Sequence, residues 1–323
     1  MKDVLFVSWV AHRRTREICM RLQLPLVELI SKDRGVVRYA KLLADTCKIL
    51  WRRRPGVVLV QSPSIVLALS AVLLRPFLRF LLVMDAHNEA VEPYLHPTPF
   101  VRALTHWLLR KADRVIVTNS PLATFVRSRS GQPIVLPDPL PSPPSDLRYL
   151  DLGSAFRVAV IATFAEDEPV DAILGAAARL GPSYQFYVTG NSGLLSSKLR
   201  SAAAPNVTFT GYLSEHDYWN LIHSCDAVMD LTLMPNCLVC GAYEAAAVEK
   251  PLLLSDNGAS ADVFSGLGEF VDNTPTGIAA GLERLRENLP RIQASFAANR
   301  CHLEERWNQG ARELTEFIAS RPG

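Results

Sequence analysis

An α/β protein with two parallel sheets is the fold class this sequence predicts, and three observations carry it. Short, almost continuous apolar runs alternate with helical segments through the first half. A proline-rich run, Leu136-Pro-Asp-Pro-Leu-Pro-Ser-Pro-Pro-Ser145, then interrupts the pattern. Beyond it the same alternation starts again. Strands that are apolar on both faces belong to parallel sheets covered by helices on either side. A chain of 323 residues is long enough for two such units.

Taken in order, the strand candidates of the first half are Val4–Ser8, Leu24–Leu29, Val57–Gln61, Phe80–Met84, Arg114–Thr118 and Pro133–Leu136. Helices fit between them, among them Arg38–Trp51 and Phe100–Lys111. Ile65 to Met84 is the most apolar stretch and reads as a helix followed by a buried strand. Its unbroken apolar run, Ile65–Leu74, is too short to span a bilayer, and Arg75, Pro76 and Arg79 fall inside the stretch. A second reading places this Arg-rimmed apolar surface in a membrane interface. The proline run is stiff and poor in donors, so it marks a domain boundary. The second half opens with a strand at Arg157–Ala162 and continues with Tyr184–Thr189, Val207–Gly211, Cys225–Asp230 and Pro251–Ser255. Leu303, Trp307, Ala311, Leu314 and Ile318 fall at helical spacing in a terminal helix, His302–Ile318.

Charge is divided unevenly. Residues 1–150 hold 22 Lys and Arg against 11 Asp and Glu, while the remainder holds 12 against 21. A basic half implies something anionic facing it, a membrane surface or a phosphorylated acceptor, with two solvated faces as the alternative. No nucleic-acid partner is expected. Six scattered cysteines make no disulfide framework, and Met1-Lys-Asp opens no signal peptide, so a cytoplasmic location is expected, with association at the inner membrane face. A single Cys237-x-x-Cys240 without a second ligand pair is weak for zinc and reads as two small residues in a tight turn.

The stretch Asn236 to Gly258 reads as a turn (Cys237–Gly241), a helix (Ala242–Glu249) and a buried strand (Pro251–Ser255). A small-residue turn entering a helix aims unpaired N–H groups outward with the positive end of the dipole behind them, which favours an anion. Glu244, one turn in, can accept from vicinal hydroxyls such as a ribose pair. In ligand-binding parallel sheets the chemistry lies beyond the carboxyl ends of the strands.

Glu244, Ala245-Ala246-Ala247, Lys250-Pro251 and Ser255-Asp256 resemble the donor-binding segment of GT-B glycosyltransferases, in particular family 4. That resemblance implies two Rossmann-like domains facing each other across a cleft. It implies a domain 1–140 on the acceptor side, a linker at 141–154, a nucleotide-sugar-binding domain 155–300, and a helix 301–323 packed back on the first domain. The family's turn holds the nucleoside diphosphate, here Val239, Cys240 and Gly241, and its second Glu holds the ribose, here Glu244. The family's first Glu is replaced by Asn236, which can bond a sugar hydroxyl without charge. Thr163 and the acidic turn after it, Glu166-Asp-Glu168, look similar to lipid-linked chitobiose β-mannosyltransferases. Most family 4 enzymes place an Arg and a Lys near this turn, and neither is found here. Gly190, Gly211 and Tyr212 match the strand-ending positions around the nucleotide. Asp226 and Asp230 are four apart and make no metal-binding DxD, and the resemblance implies neither metal nor cofactor beyond the nucleotide-diphosphate sugar itself.

In the first half, Asp85-Ala-His87-Asn-Glu89 at a strand end resembles the GT-B segment that carries the active-site histidine. His87 and Asp85 are therefore the catalytic candidates, with Asp85, Glu89 and Glu92 as the carboxylates from which an inverting enzyme would draw its base. The family's glycine-rich loop after the first strand is absent. His12, Arg13, Arg14 and Arg16 stand there instead and can hold a phosphate of donor or acceptor. The expected activity is sugar transfer from a nucleotide-diphosphate sugar to a glycan or polyprenyl-linked acceptor in polysaccharide or glycoconjugate synthesis. The alternatives are a silent GT-B homologue acting as a scaffold subunit and a nucleotide-sugar 2-epimerase.

Overall fold

The computed structural model describes residues 4–62, 64–86, 88–91 and 98–320, without the side chains of Glu89 and Lys198. Two units divide the chain. Unit 1 is Met1–Pro139 with Glu305–Gly323, and unit 2 is Leu140–Glu304.

Unit 1 begins with β1 (Val4–Ser8), α1 (Arg13–Arg21), β2 (Leu26–Glu28) and α2 (Gly35–Arg53). It continues with β3 (Val57–Ser62), α3 (Ile65–Leu78), β4 (Leu81–Ala86) and the short α4 (Asn88–Val91). Then follow α5 (Pro99–Lys111), β5 (Arg114–Val117), α6 (Ser120–Ser128) and β6 (Pro133–Val135). The six strands form one parallel sheet in the order β2-β1-β3-β4-β5-β6. Every residue of β1 and β3 is buried, which is why those strands are apolar without alternation. One face packs Leu5, Val58, Val60, Leu82 and Met84 under Leu42 and Leu50 of α2 and Leu67 and Ala71 of α3. The other face packs Phe6, Leu59, Val83 and Ile116 under Ile18 of α1 and under Trp307, Leu314 and Ile318. A Cβ on Gly310 would lie 2.2 Å from the carbonyl oxygen of Val135, so only glycine lets the terminal helix come this close to β6.

Unit 2 opens with β7 (Phe156–Val160), α7 (Val170–Leu180), β8 (Tyr184–Thr189) and α8 (Ser197–Ala202). Next come β9 (Val207–Gly211), α9 (Glu215–Ser224), β10 (Ala227–Asp230) and α10 (Cys240–Ala247). It closes with β11 (Leu252–Ser255), α11 (Ala259–Phe264), β12 (Gly268–Val271) and α12 (Pro275–Ala319). The sheet is parallel, in the order β12-β11-β10-β7-β8-β9. The stretch read from sequence as a linker lies against this unit. Leu140, Leu147 and Leu152 pack on its core, and the N–H groups of Arg148 and Leu150 donate to Asn220 Oδ1 and Ser224 Oγ, each at 2.8 Å.

The terminal helix is longer than the sequence suggests. It runs 45 residues from Pro275, and Pro290 does not stop it. Ile278, Leu282, Leu285, Ile292, Phe296 and Leu303 keep one apolar stripe in the core of unit 2, while Pro290 sits on the exposed side. Burial of that stripe offsets the hydrogen bond the proline removes.

Candidate functional site

In the sheet of unit 2 the chain runs outward from β7 through β8 to β9, then returns to the other side of β7 with β10. The loops after β7 and β10 therefore flank the reversal point of the sheet, where parallel sheets of this kind take their ligands, beyond the carboxyl ends of the strands. Asp167 clips the two loops together. Its carbonyl accepts the N–H of Leu233 at 2.6 Å, and its carboxylate accepts the hydroxyl of Thr232 at 2.8 Å. Ser255, at the end of β11, donates to Asn273 and accepts from the N–H of Thr232, and Asn273 donates back to the Thr232 carbonyl.

Helix α10 starts beyond β10 at this reversal point, but its amides are used differently from the sequence reading. No side chain of its N-cap residue, Val239, bonds the first turn. The buried carboxyl of Asp230, at the end of β10, accepts the N–H of Gly241 at 2.9 Å instead. Gly241 thus turns its amide inward, and the turn offers fewer outward donors than expected. A Cβ on Gly241 would fall 2.3 Å from Ile161 Cδ1 and 2.5 Å from Asp230 Oδ2. The residue is glycine because α10 presses onto the ends of β7 and β10. Burial pushes the Asp230 carboxyl well above the ordinary range, Gly241 acts against that rise, and the nearby carboxylates Glu168, Glu244 and Asp167 add to it.

A second departure lies after β7. The carboxylate of Glu168 accepts the N–H groups of Thr163 at 2.9 and 3.0 Å and of Phe164 at 2.7 Å, and the Thr163 hydroxyl at 2.6 Å. Thr163, expected to face the donor, is occupied within its own loop. Phe164 takes a left-handed conformation, φ +60°, which costs a bulky residue about 1–2 kcal/mol and aligns its amide with the same carboxylate.

The remaining donor candidates gather at the same end of the sheet. Glu244, half-buried on α10, accepts a short hydrogen bond from the Tyr218 hydroxyl of α9. Sequence reasoning missed Tyr218, because 26 residues separate it from Glu244 and no local pattern joins them. Asn236, half-buried, sits at φ +55°, a conformation that asparagine tolerates. Cys240 is exposed, Cys237 is half-buried, and neither forms a disulfide. Gly190 has a backbone duty: at φ +91° its Cβ would lie 2.1 Å from the carbonyl oxygen of Ala162. Gly211 (φ +73°) turns the chain after β9, leaving Tyr212 92% exposed beside it. Among the described residues no group of three or more His, Cys, Asp or Glu could hold a metal ion.

In unit 1 the basic cluster is split. Arg14 points inward, 4% exposed. It pairs with Asp85 at 3.4 Å, forms a close ion pair with Asp138, and donates to the Leu136 carbonyl at 2.7 Å. Arg16 makes a forked pair with Glu28 of β2 at 2.8 to 3.0 Å, which raises its pKa. Of the four, Arg13 is exposed and His12 half-buried at the start of α1. Asp85, a catalytic candidate from the sequence, is 1% exposed and pairs with Arg14 at the end of β4. His87 and Glu92 lie outside the described residues, as does the side chain of Glu89.

No family model matches the sequence, and no curated protein matches it. Solved structures do match over the whole chain. Sucrose-phosphate synthase from Thermosynechococcus elongatus is 15% identical at a TM-score of 0.79, covering 98% of both chains. Anabaena HepE in complex with UDP and glucose is 13% identical at 0.76, covering 98% of this chain and 99% of that one. A UDP-N-acetylglucosamine 2-epimerase assignment from Listeria monocytogenes is 12% identical at 0.70, covering 100% and 98%. Likeness at this level of identity establishes architecture, and the architecture is the two-unit α/β plan named GT-B.

Proposed function

We propose that this chain is a glycosyltransferase that binds a nucleotide-diphosphate sugar in unit 2. It passes the sugar to a glycan or polyprenyl-linked acceptor at a membrane surface, in polysaccharide or glycoconjugate synthesis. The observation that carries the reading is Glu244, presented on α10 at the reversal point of the sheet and oriented by Tyr218. A carboxylate so placed accepts from the two ribose hydroxyls. The amides of Val239 and Cys240 at the start of α10 face the diphosphate, and the helix dipole stabilises the charge that develops on it as the glycosidic bond breaks. Asn236 bonds a donor-sugar hydroxyl, and the ring of Tyr212 offers a face to the base. His87 is proposed at the reacting sugar, with Glu89 or Glu92 as base if configuration inverts, and His12 and Arg13 at an anionic group. No metal is required in this scheme. HepE is described with UDP and glucose, so UDP is the first nucleotide to test.

The test is a thermal-shift series with UDP, GDP, TDP and CMP, with and without magnesium, on the native chain and on Glu244→Ala. One nucleoside diphosphate is expected to raise Tm without magnesium, and the variant is expected to lose the shift. A second reading, the silent scaffold, is favoured by the amides of Thr163, Phe164 and Gly241 all being taken by internal carboxylates. No shift with any nucleotide would select it. Release of free epimerised nucleotide sugar without acceptor would select the epimerase reading, for which the Listeria structure stands.

A further inference from the structure

Helix α2 carries two apolar stripes where a surface helix needs one. The first, Leu42, Thr46 and Leu50, is buried against the sheet of unit 1. The second, Val36, Ala40, Leu43, Cys47 and Trp51, repeats at the same three-to-four-residue spacing but faces away from the core. Val36 is 84% exposed and Trp51 57%. The neighbouring α3, which packs against α2, repeats the arrangement. Its Leu67, Ala68, Ala71 and Leu78 are buried, while Val66, Leu73 and Phe77 form an exposed row, with Phe77 73% and Leu73 58% exposed. Two exposed apolar rows on touching helices exceed the scattered apolar residues of an ordinary surface.

Charge decides what covers this face. Residues 34–54 contain seven Lys and Arg (Arg34, Arg38, Lys41, Lys48, Arg52, Arg53, Arg54) and one acidic residue, Asp45. Arg34, Lys48, Arg52 and Arg53 are exposed, Lys41 pairs with Asp33 at 2.8 Å, and the Arg54 guanidinium lies over the Trp51 ring at 5.2 Å. No acidic residue occurs in 65–79, where Arg75 and Arg79 flank Phe77. A second copy of the chain would bring the same excess of positive charge against itself, so a symmetric dimer through this face is disfavoured. An anionic lipid surface complements both features, with apolar rows entering the acyl boundary and cations at the headgroups. No helix among the described residues is long and apolar enough to cross a membrane, so contact through this face lies in the interface.

We infer that the α2–α3 face of unit 1 docks onto anionic membrane, with Trp51, Phe77, Leu73 and Val36 inserted and the Lys and Arg of α2 at the headgroups. This deepens the proposed function by naming the surface that meets the membrane, yet it stands on unit 1 alone. Its failure is therefore distinguishable from failure of nucleotide binding in unit 2.

The experiment is co-flotation of the purified full chain with vesicles of neutral phosphatidylcholine, and with vesicles containing about one-third phosphatidylglycerol, at low and high salt. Binding is expected to the anionic vesicles, falling with salt. Trp51→Ser with Phe77→Ser is expected to lower the partition coefficient about tenfold or more, since both rings leave the interface. Lys48→Glu with Arg52→Glu is expected to abolish it. All four positions are exposed, so the variants should keep the native Tm and any nucleotide-induced shift. Equal binding to neutral vesicles, or binding untouched by the ring substitutions, would overturn the inference. So would absence of binding together with a dimer in light scattering that the same substitutions dissolve.

Discussion

The carboxyl of Asp230 accepts the N–H of Gly241 at 2.9 Å, so the end of strand β10 caps the helix that follows it. Cap and helix are separated by a nine-residue loop, 231–239, that contains Asn236 and Val239. Asp230→Ala leaves a buried amide without its partner and should cost about 1–3 kcal/mol, read by urea unfolding. Asp230→Asn keeps an acceptor and should cost less.

The same residue sets a pH dependence. Burial raises its pKa in the folded chain above the ordinary carboxyl value, so the native state binds a proton that the unfolded state releases. Stability from this group is present at low pH and is lost as pH rises from about 4 towards the raised value. Asp230→Asn should flatten that part of the stability–pH curve. An unchanged slope would show that Asp230 does not titrate there.

Gly190 permits no side chain. With φ at +91° and the Ala162 carbonyl 2.1 Å from a would-be Cβ, Gly190→Ala should destabilise unit 2 by about 3 kcal/mol. The check is unfolding followed by the buried Trp219.

Arg14 neutralises two carboxylates at once. Removing it takes the cation away from two carboxylates, one of them buried, so Arg14→Met should cost about 3–5 kcal/mol. Adding Asp85→Asn should recover part of that loss. Full additivity of the two substitutions would contradict the pairing.

Glu168, half-buried, holds only the short loop after β7 through the amides of Thr163, which is exposed, and Phe164, so its contribution to global stability is small, about 1 kcal/mol or less. Glu168→Ala should instead show locally, as loss of amide-exchange protection at Thr163 and Phe164 with β7 unaffected.

Much of this architecture was legible because local pattern and tertiary role coincide. Val4–Ser8, Tyr184–Thr189 and Val207–Gly211 are strands at the predicted bounds, since an apolar run flanked by turn residues has few other uses. The helix at 302–318 was visible as a stripe, but its start at Pro275 was not, because Pro290 reads locally as a stop and only burial of the flanking stripe overrides it. Near the reversal point, Glu244 stands out in the sequence only through a recognisable segment, and its partner Tyr218 does not. The duties of Asp85, Arg14, Arg16 and Thr163 were not legible, because a charge's role depends on which opposite group lies within reach.

The sequence by itself determined the α/β class, the chain order of every strand except β12 (Gly268–Val271), and the segment around α10, all of which depend on local spacing. The tertiary structure decided which polar groups are spent internally. Arg14 meets Asp85 across 71 positions, and Tyr218 meets Glu244 across 26. Hydrogen bonds and ion pairs act over about 3 Å in space regardless of separation along the chain, so only the folded arrangement shows which charges remain to meet a ligand.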